Sequence, residues 1–216
     1  MIEAVIFDLD GVLLDTEQVW DAVREELTQE RGGRWHDGAQ ADMMGMSSPE
    51  WSRYMHERLE LADSPEEISA EVVRRMLTRY RKRLPLVHGA RDALERVASR
   101  WPLGLASSSN RELIDEALAQ GAMSGFFRVT VSSEEVERGK PAPDVYLAAA
   151  RRLGVDPASA AAVEDSRSGI LAAAEAGLRV IAIPNRLFPP DREALAEAAV
   201  VLESIAALTP DVIERS

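Results

Sequence analysis

Cysteine is absent from this chain of 216 residues. Disulfide bonds and thiolate catalysis are therefore excluded, and nothing in the composition indicates an oxidising compartment. The sequence also lacks any apolar run that approaches the ~20 residues needed to cross a bilayer. Its first residues show no basic segment followed by an apolar run and a small-residue cleavage site. We therefore expect a cytoplasmic protein.

Basic residues are in the minority. The chain has 37 aspartates and glutamates against 25 lysines and arginines, which gives a formal net charge of −12. An excess of negative charge repels nucleic-acid backbones and anionic membrane surfaces, so we expect neither nucleic acid nor a membrane as a partner. A small anionic substrate is still compatible with this charge, because a local group of positive charges can oppose the global field.

Short apolar runs alternate with longer segments of helical spacing over most of the chain. The runs have the length of buried strands, and they are Ala4–Phe7, Leu103–Ala106, Val129–Val131, Ala161–Val163 and Val180–Ile183. The clearest helical segments between them are Arg111–Ala119, Pro143–Leu153 and Ser168–Ala176. This alternation predicts an α/β fold in which helices cover both faces of a parallel sheet.

Residues 15–85 follow a different pattern. They contain no clear strand run, and their apolar residues recur at helical spacing, for example at Val19, Val23 and Leu27. We interpret them as a helical insertion that follows the first strand. The predicted division is therefore a sheet domain of residues 1–14 and 86–216 and a helical insertion of residues 15–85, joined by hinges near residues 14–16 and 84–88.

Side chains that can take part in catalysis or in metal binding follow the predicted strands or lie in the loops after them. They are Asp8 and Asp10 after the first run, Ser107–Ser109 after the second, Lys140 in a Gly-Lys-Pro loop, and Glu164–Asp165 after the fourth. Side chains alternate along a strand, so the first two acids share one face. Because ligands of parallel sheets bind beyond the carboxyl ends of the strands, we expect all these residues to meet at one edge.

Each of these features alone has an ordinary structural explanation. Serines before a helix are commonly N-caps, acids favour helix starts, and a lysine in a loop is usually solvated. Together, carboxylates, a lysine and hydroxyl groups at one sheet edge describe a divalent-cation site that holds a phosphate. Carboxylate oxygens suit Mg²⁺, while the lysine, the hydroxyls and backbone N–H groups would bind and neutralise phosphoryl oxygens.

The order Asp-Leu-Asp-Gly-Val, serine, Gly-Lys-Pro-Ala-Pro-Asp and Glu-Asp-Ser-Arg-Ser-Gly resembles the motifs of the haloacid dehalogenase-like hydrolase superfamily. The helical insertion is similar to the cap of the branch that contains beta-phosphoglucomutase and sugar-phosphate phosphatases. The resemblance covers essentially the whole chain. It implies a Rossmann-like core with a helical cap, and a Mg²⁺-dependent enzyme that acts on a small phosphorylated metabolite.

The resemblance also implies catalytic roles. Asp8 would attack phosphorus and form an aspartyl-phosphate intermediate. Asp10 would protonate the leaving oxygen and then activate water. Ser107 and the backbone amide of Ser108 would bind the transferring phosphoryl group, and Lys140 would bridge the phosphate and the nucleophile.

The same resemblance implies the Mg²⁺ ligands. Asp165 would bind the metal directly, Glu164 would do so directly or through water, and Asp8 and the backbone carbonyl of Asp10 would complete the site. Asp10 also argues against a dehalogenase, because that branch has no second acid here and a departing halide needs no proton. The second acid therefore favours phosphoryl transfer.

The helical insertion departs from the mutases of this branch. Those enzymes carry a histidine on an early cap helix and an arginine on a later cap loop, which holds a second phosphate. This chain has Trp20 at the first place and no arginine in the loop until Arg53. We therefore favour a phosphatase over a mutase, and the mutase stays open because Arg24 or Arg53 could supply the missing charge.

Five residues are candidates for contact with the substrate: Ser108, Trp20, Gly45, Met46 and Arg111. For Trp20, packing inside the helical insertion is an equal alternative. Gly45 has the second interpretation that it lets the insertion approach the sheet domain closely.

A non-enzymatic alternative is a receiver-like signalling module, which also takes up phosphate on an aspartate beside Mg²⁺. In those modules the acceptor lies on a middle strand and an acidic pair follows the first strand. Here the candidate nucleophile comes first and the acidic pair comes last, which favours an enzyme. A monomer is the expected oligomeric state.

Overall fold

Six parallel strands form one sheet in the computed structural model, which describes residues 1–215. They are β1 (Ala4–Phe7), β2 (Leu103–Ser107), β3 (Phe127–Ser132), β4 (Ala160–Glu164), β5 (Arg179–Ala182) and β6 (Val200–Val201). Their order across the sheet is β3-β2-β1-β4-β5-β6. In the middle of the sheet Val5 of β1 lies opposite Leu103 of β2 and Ala161 of β4. The predicted α/β fold with a parallel sheet is confirmed.

Ten helices accompany the sheet within residues 1–215. They are α1 (Glu17–Glu30), α2 (Ala39–Met43), α3 (Ser48–Glu57), α4 (Pro65–Lys82), α5 (Ala90–Ala98), α6 (Arg111–Gln120), α7 (Asp144–Leu153), α8 (Arg167–Glu175), α9 (Arg192–Ala196) and α10 (Pro210–Arg215). None of these helices is both long and apolar enough to cross a membrane. The three segments predicted as helical become α6, α7 and α8, and each predicted end lies within one residue of the observed end.

Both faces of the sheet are covered. Side chains alternate along β1, so Val5 and Phe7 pack into one buried cluster and Ile6 packs into another. The first cluster contains apolar residues of α1, α3, α4, α5 and α6, and the second contains residues of α7 and α8 such as Tyr146 and Ile170. Burial on both faces explains why the strands read as continuous apolar runs rather than as alternating patterns.

The five predicted strands are present, and their ends differ from the predicted ends by at most two residues. The sixth strand, β6, was not predicted. It is two residues long and pairs only with β5, where Val200 lies opposite Ile181. A run of two residues is too short for a period of two to be visible in the sequence.

Helices α1–α4 occupy the segment between β1 and α5. Local sequence explains where two of them begin, because Ser47 and Ser64 are each followed by proline and glutamate. At the start of α4 the Glu67 N–H donates to the Ser64 hydroxyl at 3.2 Å, and the Ser64 N–H donates to the Glu67 carboxylate at 2.9 Å. This reciprocal pair is a capping box, and α3 has the same arrangement with Glu50.

The two connections around residues 14 and 86 lie side by side. The Asp15 N–H donates to the Pro85 carbonyl at 2.8 Å, and the Val87 N–H donates to the Leu13 carbonyl at 3.0 Å. Paired connections are the geometry that a double hinge requires. The division of the chain into a sheet domain and a helical insertion remains a prediction.

Candidate active site

The acidic motif residues meet where the chain order of the strands reverses. β1 leads directly to Asp8 and Asp10, β2 ends at Ser107, and β4 ends at Glu164, with Asp165 following. These three strands are neighbours in the middle of the sheet. The point where connections diverge to the two sides of β1 leaves a crevice beyond the strand ends, which is the usual ligand position in such sheets.

Lys140 reaches this crevice from the loop before α7. Its buried ammonium donates to Asp8 Oδ1 at 2.6 Å, to Glu164 Oε1 at 2.6 Å and to the Ala106 carbonyl at 3.1 Å. Burial by itself would lower the pKa of Lys140, but the two carboxylates raise it above its ordinary value. The lysine therefore stays charged and holds the Asp8 carboxylate in one orientation.

Asp8, Glu164 and Asp165 form a buried carboxylate cluster. One oxygen of each lies within 4.8 Å of the others. Burial raises the pKa of Asp8 and of Asp165 well above the ordinary range, and for Asp8 the charge of Lys140 opposes this shift. Within residues 1–215 the Lys140 ammonium pairs with Asp8 and Glu164 and forms no ion pair with Asp165. An all-oxygen set with surplus negative charge fits Mg²⁺, so the residues that are present suit the metal.

Glu164 is fully engaged by protein donors. Its Oε1 accepts from Lys140 and from the Tyr146 hydroxyl at 2.7 Å. Its Oε2 accepts from the Asp165 N–H at 3.0 Å and from the N–H and hydroxyl of Ser166 at 3.3 and 3.2 Å. Because these donors occupy both oxygens, the geometry favours a water-mediated contact of Glu164 with a metal over direct ligation.

The close approach of α8 to Glu164 explains why the Glu-Asp-Ser-Arg-Ser-Gly motif ends in a glycine, Gly169. A Cβ atom at this position of α8 would lie 1.8 Å from Glu164 Oε1 and 1.9 Å from the carboxyl carbon. No side chain can occupy that space, so the helix approaches the carboxylate this closely only with glycine.

The substitution Gly169→Ala is expected to displace the Glu164 carboxylate and, through it, Lys140. A misplacement on the order of 1 Å at a reacting group can lower the rate by about 10²-fold. The measurement is kcat of the reaction that the family resemblance implies, the release of phosphate, with melting followed by circular dichroism. Gly125→Ala is the matched control, because nothing lies within 4 Å of a Cβ at Gly125. A folded Gly169→Ala protein with wild-type kcat would contradict the interpretation.

Three donors hold the Asp10 carboxylate. Its Oδ1 accepts from the Thr16 hydroxyl at 2.6 Å and from the Trp20 indole N–H at 3.3 Å, and its Oδ2 accepts from the Ser109 hydroxyl at 2.7 Å. Trp20 therefore contacts a motif residue as well as lining the cavity. The roles of Thr16 and Ser109 were not predicted, although both lie inside or beside the motifs.

The serines after β2 have different positions. Ser108 lines the cavity described below. Ser107 is fully buried and is not among the residues that line this cavity; its hydroxyl oxygen accepts from the Ser109 N–H at 3.0 Å. The phosphate-binding role predicted for Ser107 therefore remains a prediction.

A cavity of about 60 Å³ lies between the sheet edge and the helical insertion. From the sheet domain it is lined by Asp8, Asp10, Ser108, Ser109, Lys140, Asp165 and Ser166. From the helical insertion it is lined by Glu17, Trp20, Arg24, Gln40, Met43, Met44, Gly45, Met46 and Trp51. The cavity thus joins the carboxylate cluster to a wall that is mostly apolar with one polar end.

Gly45 lies where the helical insertion contacts the sheet domain. Its carbonyl accepts from the Ser108 hydroxyl at 3.1 Å, and nearby the Ser48 hydroxyl donates to Asn110 Oδ1 at 2.7 Å. The residue has a φ of +75°, and a Cβ there would lie 1.8 Å from the Ser168 hydroxyl oxygen. This position agrees with the interpretation that Gly45 permits close approach.

Arg111 does not line the cavity. Its guanidinium donates to Asp115 at 3.2 Å, to the Thr130 hydroxyl at 2.8 Å and to Glu135. These acceptors hold the side chain against β3 and the loop after it, so the structure does not support its predicted substrate contact. Arg53 lines a separate groove beside α3 and α4.

Arg24 occupies the polar end of the cavity. It is 4% exposed, and its guanidinium carbon lies 4.5 Å from the ring centre of Trp20 and 4.9 Å from that of Trp51. Its Nη1 donates to Gln40 Oε1 at 3.1 Å, and Gln40 Nε2 donates to Glu17 Oε2 at 3.1 Å. Burial lowers the pKa of Arg24 to about 10.

Glu17 ends this hydrogen-bonded series. Burial, followed by the charge of Asp10, raises the pKa of Glu17 to about 7. The sequence analysis predicted Arg24 only as a possible replacement for the missing cap-loop arginine. It predicted no role for Gln40 or Glu17. The three residues come from α1 and α2, and only the packing of these helices brings them together.

The family model of the haloacid dehalogenase-like hydrolases matches residues 5–183. The chain belongs to this family. A phosphorylated carbohydrates phosphatase of Thermotoga maritima is 35% identical over 93% of each chain. Hexitol phosphatase B of Escherichia coli K12 is 31% identical over 85% of this chain and 84% of its own.

A solved structure supports the fold of this family member. The beta-phosphoglucomutase of Clostridium difficile superposes with a TM-score of 0.87 over 99% of this chain and 96% of its own, at 24% identity. At that identity the likeness concerns the fold alone, and it confirms the expected α/β fold, while the family model confirms the expected superfamily.

Proposed function

We propose that this haloacid dehalogenase-like hydrolase is a Mg²⁺-dependent phosphatase of small phosphomonoesters, of the sugar-phosphate class, acting through an aspartyl-phosphate on Asp8. The observation that carries the proposal is the position of Asp8, which lines the cavity beside Asp10 while Lys140 holds one of its oxygens. The names of the two relatives, both phosphatases, support hydrolysis of a phosphate ester.

We infer the attacking atom from the hydrogen bonds of Asp8. Lys140 binds Oδ1 of Asp8, and within residues 1–215 no hydrogen bond to Oδ2 is found. Oδ2 is therefore the oxygen that attacks phosphorus. A bond forms between Oδ2 and phosphorus while the bond from phosphorus to the ester oxygen breaks, and the charged Lys140 stabilises the negative charge that spreads over the transferring group.

Asp10 acts as the general acid and then as the general base. Its carboxyl group gives a proton to the departing ester oxygen and later takes one from the water that attacks the aspartyl-phosphate. Thr16, Trp20 and Ser109 keep this carboxyl in place during both steps. Asp8 and Asp165, with the backbone carbonyl of Asp10, would hold Mg²⁺. When bound, the metal would neutralise the surplus carboxylate charge and polarise the phosphoryl group.

Closure of the helical insertion over the sheet domain would exclude water during attack. The small cavity and the contacts of Gly45 and Ser48 with the sheet domain support a closed arrangement of this kind. We place the hinges at the paired connections near residues 14–16 and 84–88. Opening at these hinges would admit water and substrate.

The proposal predicts metal-dependent release of phosphate. Sugar phosphates, polyol phosphates and nucleotides are incubated with the protein in Mg²⁺ or in EDTA, and inorganic phosphate is measured. We expect release from at least one class in Mg²⁺ and its loss in EDTA, because Lys140 alone compensates only part of the buried carboxylate charge. Release that is equal in both conditions would contradict the metal requirement.

A sugar-phosphate mutase is the second candidate, and the position of Arg24 in the cavity is the observation in its favour. A mutase must hold a second phosphate while the sugar reorients, and an arginine opposite the carboxylate cluster could do so. Absence of release from every compound, together with isomerisation of a sugar phosphate, would favour the mutase.

A further inference from the structure

The buried cations Lys140 and Arg24 differ in whether a carboxylate pairs with them. Lys140 has two carboxylates at 2.6 Å. Arg24 is equally buried, yet none of the ion pairs within residues 1–215 includes it. Buried charges in proteins are normally paired, so a buried guanidinium without a carboxylate calls for an anion from elsewhere.

One edge of the Arg24 guanidinium also lacks hydrogen-bond partners among residues 1–215. Arg24 Nη1 donates to Gln40, whereas Nε is buried and has no hydrogen-bond partner among residues 1–215. Elsewhere in this chain the edge formed by Nε and Nη2 binds carboxylates: Arg74 holds both oxygens of Glu71 this way at 2.8 and 2.7 Å, and Arg138 holds Asp144 at 3.3 and 2.8 Å. At Arg24 the same edge has no such partner.

Gln40 links Arg24 to Glu17, the acid at the end of the hydrogen-bonded series. It accepts from Arg24 with its oxygen and donates to Glu17 with its nitrogen, so it stands between the guanidinium and the Glu17 carboxyl group. The rings of Trp20 and Trp51 lie beside the guanidinium. The arrangement fixes Arg24 in place without a direct ion pair to a carboxylate, which is the preorganisation that a binding site needs.

Arg24 is close enough to the reacting groups to touch the same small substrate. Trp20 contacts both residues, since its indole N–H donates to Asp10 at 3.3 Å and its ring lies 4.5 Å from the Arg24 guanidinium. Both residues line one cavity. Arg24 and the reacting groups therefore face the same small cavity.

We propose that Arg24 is a specificity-determining residue that binds a carboxylate at the end of the substrate opposite the phosphate. This inference rests on the proposed phosphatase function and narrows the substrate class to small phosphorylated acids, such as sugar acids. A planar carboxylate matches one guanidinium edge. A second phosphate is a poorer match, because only Arg24 and Lys140 among the cavity-lining residues are basic.

The test compares substrate pairs that differ only in this group. Glycerol 3-phosphate is paired with 3-phosphoglycerate, and erythritol 4-phosphate with 4-phosphoerythronate; a polyol bisphosphate is added. We expect kcat/KM of the wild type to be at least about 10-fold higher for the acids, since a hydrogen bond to a charged group contributes about 1.5–3 kcal/mol. In Arg24→Met this preference is expected to disappear, and Arg24→Lys is expected to retain part of it.

Arg53→Met is the matched control, because the Arg53 side chain is exposed and lines a separate groove. It should keep the preference for acids. Binding is measured separately by calorimetry of 3-phosphoglycerate with Asp8→Asn, with and without Arg24→Met. We expect the added substitution to weaken binding by about 10- to 100-fold.

Several outcomes would overturn this inference. They are equal wild-type use of neutral and acidic substrates, a preference for the bisphosphate, and a preference for acids that survives in Arg24→Met. Even if Arg24→Met does not fold, the comparison of neutral and acidic substrates with the wild type still tests the preference for acids. Failure of the phosphatase proposal looks different, because then no compound of either class releases phosphate.

Discussion

The substitution Asp8→Asn is expected to abolish phosphate release while leaving the fold intact. The amide is nearly the same size as the carboxylate, but it has no anionic oxygen that can attack phosphorus. Loss of a nucleophile that forms a covalent intermediate lowers kcat by a factor on the order of 10³ to 10⁶. Lys140 keeps its second partner, Glu164, at 2.6 Å, so the ammonium remains in place.

The stability of Asp8→Asn gives an independent check. The pKa of Asp8 is raised well above its ordinary value of 3.8, so its ionised form is less favourable in the folded than in the unfolded protein. Without metal, the asparagine variant should therefore unfold at the same or a higher temperature at neutral pH. Asp92→Asn makes the same chemical change on the exposed surface of α5 and should leave kcat unchanged. Activity of Asp8→Asn within about tenfold of the wild type would contradict the nucleophile assignment.

Removal of Lys140 should produce the largest loss of stability. In Lys140→Met the carboxylates of Asp8 and Glu164 stay buried without their ammonium partner. Breaking a buried ion pair by removing one partner costs about 3–5 kcal/mol of unfolding free energy. Denaturation by urea without Mg²⁺ measures this loss, and kcat should fall as well because the nucleophile is no longer held.

The loss in Lys140→Met should depend on pH in a definite direction. Burial already raises the pKa of Asp8 and Asp165, so the folded state binds more protons than the unfolded state above about pH 4. The unfolding free energy therefore falls as pH rises from there, and without Lys140 it should fall more steeply. Lys82→Met, on the exposed end of α4, is the control and should show the wild-type slope. An equal slope in both variants would contradict the compensating role of Lys140.

The sequence predicted the sheet and the motif residues because both depend on local patterns. Strand and helix periods are visible within ten residues, and the aspartate, serine and glutamate motifs lie at strand ends, while the lysine motif lies in the loop before α7. The parallel order of β1, β2 and β4 then brings the acids together without further information. The predicted ends of strands and helices were accurate for the same reason. Strand β6 was missed because its two residues are too few to show a pattern.

Contacts between side chains from distant elements were beyond the sequence. Arg111 follows β2 in the chain, but Thr130 and Glu135 of a neighbouring segment hold it away from the cavity. Arg24 and Gln40 are joined only by the packing of α1 and α2. The saturation of Glu164 by Lys140 and its other donors depends likewise on several loops. Such contacts are fixed by tertiary structure, which local sequence patterns do not show.

The most direct measurement of the central claim is a rapid acid quench during turnover in Mg²⁺, followed by proteolysis and mass spectrometry of the peptide that contains Asp8. The account predicts a transient phosphoryl group on Asp8 that forms before phosphate is released. It also predicts that this group is absent in EDTA and in Asp8→Asn. Steady phosphate release by the wild type with no phosphorylated Asp8 at any quench time would contradict the covalent mechanism.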